Sequence, residues 1–61
     1  MLTVTIRTDG AAFEDDPYGE AARLLREIAN DTEQGANGTW TVRDANGNAT
    51  GTVSLTREVA A

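Results

Sequence analysis

Carboxylates crowd one short stretch near the start of this chain, and they carry most of its capacity for chemistry. The segment from position 9 to position 22 holds five acidic residues and no basic residue. These are Asp9, Glu14, Asp15, Asp16 and Glu20. Carboxylates can act as acid–base pairs, bind divalent cations or attract a positively charged surface. The remainder of the sequence helps to decide among these uses.

Catalysis is the first use, and the residues that normally assist it are missing. The 61 residues include no His and no Cys, and all five basic residues are Arg. The chain therefore has no imidazole base, thiolate or lysine nucleophile, and nothing activates its single serine, Ser54. Paired carboxylates would need a cleft that excludes water, and a chain this short offers little depth for one. We therefore expect that the protein is not an enzyme and has no cofactor.

Metal binding is the second use, and the ligand spacing argues against it. Residues 44–48 place oxygen-bearing side chains at alternate positions, as the first half of a calcium loop does. The sixth position of such a loop should be Gly and the twelfth should be Glu, whereas this chain has Ala49 and Leu55 there. The sequence therefore predicts turn chemistry in this segment and no metal site.

Long-range charge is the third use, and the composition favours it. Ten acids against five arginines give a formal net charge of -5. This balance repels nucleic acids and anionic membranes and attracts basic protein surfaces. No stretch approaches the roughly 20 apolar residues of a membrane span, and the start does not resemble a signal peptide. We therefore expect a cytoplasmic protein that binds a basic partner.

The hydrophobic pattern predicts a strand and then a helix around the acidic stretch. Apolar and polar residues alternate over 2–7, which indicates a half-buried strand. Asp16 followed by Pro17 is typical of a helix start, since Asp accepts from free N–H groups and Pro has none to lose. Gly35 favours the helix end, and we expect Phe13 to turn back onto the core. The predicted apolar stripe of the helix is Ala21, Leu24, Leu25, Ile28 and Ala29.

Two further strands, over 39–44 and 49–57, flank the dipeptide Asn46-Gly47. This pair favours a two-residue type I′ turn, in which both central residues have positive φ. A turn centred there places Trp40 opposite Val53 and Val42 opposite Gly51. Gly51 is expected to leave room beneath Val42 or beneath the helix.

The whole chain, 1–61, is thus predicted to be a single small α+β domain with the order β-α-β-β. A right-handed crossover gives a three-stranded antiparallel sheet in the order 1-3-2, with one helix packed on one face. Val59 to Ala61 is expected to be a loose tail. In this topology the end of the first strand, the helix N-terminus and the hairpin tip share one pole. The partner-binding residues predicted there are Asp9, Glu14, Asp15, Asp16, Glu20 and Asp44.

Three other interpretations of the surface stay open at this point. Acids near a helix N-terminus are stabilised by the helix dipole and by free N–H groups, so part of the acidic pole is explained by the fold alone. The outer sheet face is rich in threonine, a good β former that also makes a flat binding or dimer surface. Its predicted members are Thr3, Thr5, Thr39, Thr41, Thr50, Thr52 and Thr56. The first and second strands are also predicted edges that a partner strand could join.

Three segments of the chain are similar to a known group of proteins. They are residues 8–13 (TDGAAF), 20–29 (EAARLLREIA) and 43–48 (RDANGN) followed by Gly51. This order resembles short acidic proteins encoded by bacteriophages and prophages, whose pattern runs T-D-x-A-A-F, E-x-A-R-x-L-R and R-D-x-N-G-N-x-x-G. The group often has Asn where this chain has Gly10, and the linker after Ala29 varies.

The resemblance implies a protein that acts on host machinery, with anti-CRISPR proteins as the leading example. Such a protein would occupy the basic channel of a CRISPR effector complex by DNA mimicry, as a monomer or weak homodimer. The alternative is a small phage structural or assembly protein that self-associates through the Thr-rich sheet face. An inhibitor of another DNA-binding host enzyme is a third interpretation. None of the three segments carries catalytic residues.

Overall fold

The computed structural model describes residues 1–57, which form a small α+β fold. Strand β1 spans Leu2–Ile6, helix α1 Pro17–Glu33, strand β2 Gly38–Arg43 and strand β3 Ala49–Leu55, with a short 3-10 turn at Ala11–Phe13. The strands form one antiparallel sheet in the order β1-β3-β2. The predicted element order, strand order and sheet type are therefore confirmed. The predicted loose tail, residues 59–61, lies outside the described residues.

Both ends of α1 lie where the sequence predicts them. The Asp16 carboxylate accepts a hydrogen bond of 3.0 Å from the Gly19 N–H, and Pro17 is the first helical residue. The Asp16 carboxylate occupies the space that a Cβ at position 19 would fill, so a side chain there would displace it from this position. After the helix, Gly35 has a φ of 96°, a left-handed conformation that glycine adopts without steric cost.

The hairpin turn differs from the predicted type I′. Among residues 1–57 only glycines have positive φ, and in this loop Gly47 alone does, with a φ of 83°. The Gly47 N–H donates to the Asp44 carbonyl at 2.9 Å, and the Asp44 N–H donates to the Asn48 carbonyl at 2.9 Å. The loop therefore has three residues, a type I turn followed by a left-handed glycine. The Asp44 side chain favours this form because it accepts from two N–H groups inside the loop.

The predicted strand register is nevertheless confirmed. Trp40 lies opposite Val53, and Val42 lies opposite Gly51. Beyond Val42 the register shifts, because Arg43 pairs with Ala49 and Thr50 is the extra residue of a β-bulge. The longer loop changes the register by one position, and the bulge changes it back.

Thr50 is therefore not part of an exposed threonine array, which corrects its predicted outward position. Its side chain is buried, and its hydroxyl donates to the Arg7 carbonyl at 2.7 Å. Gly51 also has a role that the sequence did not predict. A Cβ at Gly51 would collide with the Thr5 carbonyl, so the glycine permits the close approach of β1.

The core lies between α1 and the sheet and is small. Its buried hydrophobic members are Phe13, Leu24, Ile28, Val42 and Val53. The predicted inward position of Phe13 is confirmed. Leu25, predicted to be a core residue, is instead 53 % exposed, because α1 packs mainly against β2 and leaves β1 less covered.

Candidate protein-binding surface

Three segments that are distant in the sequence meet at one end of the molecule. Glu20, in the first turn of α1, accepts a hydrogen bond of 2.9 Å from the Ala45 N–H at the hairpin tip. Gly10, in the loop after β1, lies against the Asp44 carboxylate, since a Cβ there would be 3.5 Å from Oδ2. These contacts bring together the six predicted residues, which we call the acidic pole: Asp9, Glu14, Asp15, Asp16, Glu20 and Asp44.

Asp44 serves the hairpin rather than the surface. The residue is only 7 % exposed, and its Oδ1 accepts from the N–H groups of Asn46 and Asn48 at 2.9 and 3.0 Å. Charge-assisted bonds to backbone donors are among the stronger hydrogen bonds in proteins. This carboxylate therefore stabilises the three-residue loop and presents little surface to a partner.

Glu20 is likewise engaged inside the molecule. Its side chain is 8 % exposed, and both of its oxygens accept from Arg23, at 2.8 and 2.9 Å. These hydrogen bonds, together with the Ala45 N–H and the Arg23 charge, outweigh the effect of burial and lower the pKa of Glu20 to about 2. Glu20 raises the pKa of Arg23 in return. The pair is thus charged at neutral pH and connects α1 to the hairpin tip.

The other four acidic residues present their carboxylates to solvent. Asp9, Glu14, Asp15 and Asp16 are all exposed, and within residues 1–57 none of them forms a salt bridge. Only Asp16 has an internal role, as the cap of α1, and that role uses a single oxygen. We call these four residues the outer carboxylates. They lie between positions 9 and 16 and leave a concentrated negative charge unneutralised.

Two arginines near this end do not neutralise the outer carboxylates. Arg7 donates from its guanidinium to the Ala49 carbonyl at 3.2 Å. Arg43 donates from its guanidinium to the Gly47 carbonyl, also at 3.2 Å. Both side chains therefore bind backbone oxygens of the hairpin. Neither guanidinium forms a salt bridge with an outer carboxylate within residues 1–57.

The described residues also form two shallow cavities. One of about 260 Å³ lies on the Thr-rich sheet face, and its only ionisable lining residue is Arg7. The other, of about 170 Å³, lies between α1 and β2 and includes Glu27 and Asp31. Glu27 is paired with Arg23 at 2.8 Å.

Residues 1–57 contain no cluster of three or more acidic, His or Cys side chains arranged to hold a metal ion. In the same part of the chain, no helix has the length and apolar character needed to cross a membrane.

The indole N–H of Trp40 is buried without an acceptor, which sequence reasoning did not anticipate. No protein-family model, curated protein or solved structure matches the chain.

Proposed function

We propose that the protein binds a basic surface of a host protein through the outer carboxylates and thereby competes with nucleic acid for that surface. The observation that supports this most is the exposure of four carboxylates without a basic partner at one end of a small rigid domain. Together with the resemblance to short acidic phage proteins, it favours an anti-CRISPR-type inhibitor acting on a CRISPR effector complex in the bacterial cytoplasm.

The spacing of the charges suits this role. Glu14, Asp15 and Asp16 are consecutive, and consecutive Cα atoms are about 3.8 Å apart. One DNA strand carries one phosphate per roughly 3.4 Å of helix axis. A groove whose arginines and lysines are arranged to neutralise phosphates therefore meets a similar density of negative charge on this short segment.

The backbone between Gly10 and Asp16, which carries three of the four outer carboxylates, is hydrogen-bonded before binding. The Glu14 N–H donates to the Ala11 carbonyl at 3.1 Å, and the Phe13 N–H donates to the Gly10 carbonyl at 3.0 Å. The buried Phe13 side chain and the Asp16 cap fix the segment at its middle and at its end. Such preorganisation of the backbone lowers the entropic cost of binding, because this segment does not have to be ordered first.

The test is competition with DNA for a purified CRISPR effector complex, measured by the anisotropy of a labelled duplex. The informative variant is the double reversal Glu14→Lys with Asp15→Lys, because both side chains are exposed and neither forms a salt bridge within residues 1–57. Reversal of Asp16 is avoided because it would also remove the helix cap. We expect the reversal to weaken competition by about tenfold to hundredfold, and the wild-type affinity to fall steeply as salt rises.

A matched control is available at the far end of the same helix. The double reversal Asp31→Lys with Glu33→Lys changes the net charge equally, at a distance of roughly 25 Å along α1. That distance exceeds the Debye length of about 10 Å at 0.1 M salt, so competition should change by less than about threefold. Full competition by the pole variant, or equal losses in both variants, would contradict the proposal.

A further inference from the structure

Strand β1 lies at one edge of the sheet. Its hydrogen bonds to β3 show which of its backbone N–H and C=O groups point away from the sheet. Met1 and Thr56 exchange backbone hydrogen bonds in both directions, and the Arg7 N–H donates to the Thr50 carbonyl at 2.7 Å. In an antiparallel pair, residues that bond to the neighbour alternate with residues that point away from it. The backbone N–H and C=O groups of Leu2, Val4 and Ile6 therefore point to the open edge.

The side chains of the same residues lie on the helix side of the sheet, yet α1 leaves two of them uncovered. Ile6 packs on the core, whereas Leu2 is 53 % exposed and Val4 is 36 % exposed. Because side chains alternate along a strand, all three share one face. The open edge of β1 is thus bordered by an apolar strip.

Leu25 extends this strip from the helix. The groove between α1 and β2 is lined by Glu27 and Asp31, so this side of α1 faces β2. Successive helical residues are about 100° apart, which places Leu25 roughly 160° from Glu27, on the side toward β1. Its side chain is 53 % exposed. We call Leu2, Val4 and Leu25 the β1 flank.

The β1 edge has none of the devices that usually prevent strand pairing. Residues 2–6 contain no charged residue and no proline, and their pairing with β3 has no bulge. The other edge, β2, differs, because it ends in Arg43, pairs irregularly there and has Glu27 and Asp31 of α1 beside it. An edge strand with open backbone groups and an apolar border is a template for another strand.

We propose that β1 pairs antiparallel with β1 of a second copy of this chain, about a two-fold axis beside Val4. In this register Val4 lies opposite the partner's Val4, and Leu2 lies opposite the partner's Ile6. The outward-facing residues are symmetric about Val4, so every open N–H and C=O of Leu2, Val4 and Ile6 gains a partner. The result is a six-stranded sheet with both helices on one face and the two β1 flanks in contact.

Charge and symmetry favour a second copy as the occupant. The antiparallel arrangement directs the two acidic poles to opposite ends of the extended sheet, whereas a parallel arrangement would set them side by side. The poles are then separated by more than the β1 length of about 17 Å, which exceeds the Debye length of about 8 Å at physiological salt. Residues 2–6, which form the pairing edge, are uncharged, so assembly should depend less on salt than binding at the acidic pole does.

The contact area sets the expected strength of the dimer. A five-residue strand is about 17 Å long, and a helix-on-sheet layer is roughly 20 Å thick, so each copy has a cross-section of at most about 350 Å² at this edge. Stable interfaces bury about 800 Å² per partner, so this dimer belongs to the weak class. We expect a dissociation constant on the order of 0.1–1 mM, with the monomer dominant in dilute solution.

The test combines sedimentation velocity with amide hydrogen exchange over a concentration series that reaches about 1 mM, near the expected dissociation constant. The mean mass should rise toward that of a dimer and change little with salt. In the same series, exchange at the Leu2, Val4 and Ile6 amides should slow, while Thr3 and Thr5 should not respond because β3 already protects them. A monomer at every concentration would overturn the proposal.

A pair of charge-matched variants distinguishes this edge from the other surfaces. Val4→Lys places a charge on the β1 flank and should raise the dissociation constant at least tenfold. Thr41→Lys adds the same charge to β2 and should leave it within about threefold of wild type. A dimer that survives Val4→Lys, or that protects amides elsewhere, would overturn the proposal. Dimerisation through β1 and DNA competition at the acidic pole are tested separately. Failure of one proposal therefore leaves the other standing, because the first should depend little on salt and the second should depend on it strongly.

Discussion

The acidic pole divides into two parts that look alike in the sequence and behave differently in the fold. Glu20 and Asp44 are almost fully covered and accept hydrogen bonds from Arg23 and from backbone N–H groups. The outer carboxylates are exposed, and only Asp16 has an internal partner. The difference shows that the availability of a carboxylate depends on which backbone donors the fold brings to it, and not on how many acids lie nearby.

The largest effect on stability is expected at Asp44. Asp44→Ala removes the acceptor of two loop N–H groups from a buried position, and we expect a loss of about 2–4 kcal/mol in the free energy of unfolding. Urea unfolding followed by far-UV circular dichroism measures it. Asp44→Asn keeps a carbonyl oxygen of similar geometry and should lose less than half as much. Equal losses would show that charge, and not the acceptor, is the important property.

Glu20 should make the stability of the fold depend on pH in the acidic range. Its pKa in the folded state is about 2, below its ordinary value of 4.5, so its contribution is complete above about pH 4.5 and is lost as the pH falls toward 2. Melting temperatures of wild type and Glu20→Gln, compared between about pH 6 and about pH 3, measure this contribution. We expect the variant to be less stable than wild type at the higher pH and to lose less on acidification. Parallel curves would contradict the role assigned to the Arg23 pair.

Asp16 lies between the two parts, because it is exposed and also caps α1. Replacing a capping Asp with Ala costs typically about 1 kcal/mol, and we expect a loss of this size for Asp16→Ala in urea unfolding. Asp16→Asn is the matched control, since it keeps a capping oxygen and should lose only a few tenths of a kcal/mol. A loss near zero for the alanine variant would show that the Asp16 cap contributes little to stability, as expected for the other outer carboxylates.

The smallest effects are expected for the remaining outer carboxylates. Glu14→Ala and Asp15→Ala remove exposed side chains that form no salt bridge within residues 1–57, so the free energy of unfolding should stay within about 0.5 kcal/mol of wild type. The same two positions should dominate the DNA-competition assay. A destabilisation above about 1 kcal/mol at either position would erase the contrast between the two parts of the pole.

The fold was largely predictable because its strongest signals are local. The alternation in β1, the Asp16-Pro17 start and the Gly35 end of α1 depend on backbone geometry within a few residues, and the structure confirms all of them. Strand order followed from the short connections and the handedness of the crossover. The pole was predictable for the same reason, since element order alone determines which ends meet.

The hairpin illustrates a local signal that was incomplete. Asn46-Gly47 correctly marked the turn, and yet Asn46 keeps a negative φ because the Asp44 carboxylate binds the loop N–H groups. The predicted register is right only because a bulge at Thr50 compensates for the longer loop. The pattern of apolar residues predicts neither the three-residue loop nor the bulge that compensates for it.

The amino-acid sequence was sufficient to define the elements, the charge and the end of the molecule where the charge gathers, because these depend on local propensity and chain order. Tertiary packing decided which carboxylates remain available, since Glu20 and Asp44 were indistinguishable from Asp15 until the hairpin N–H groups met them. It also decided that Leu25 and Val4 stay exposed, because α1 lies closer to β2 than to β1. Burial depends on where a helix rests across a sheet, which its own periodicity does not specify.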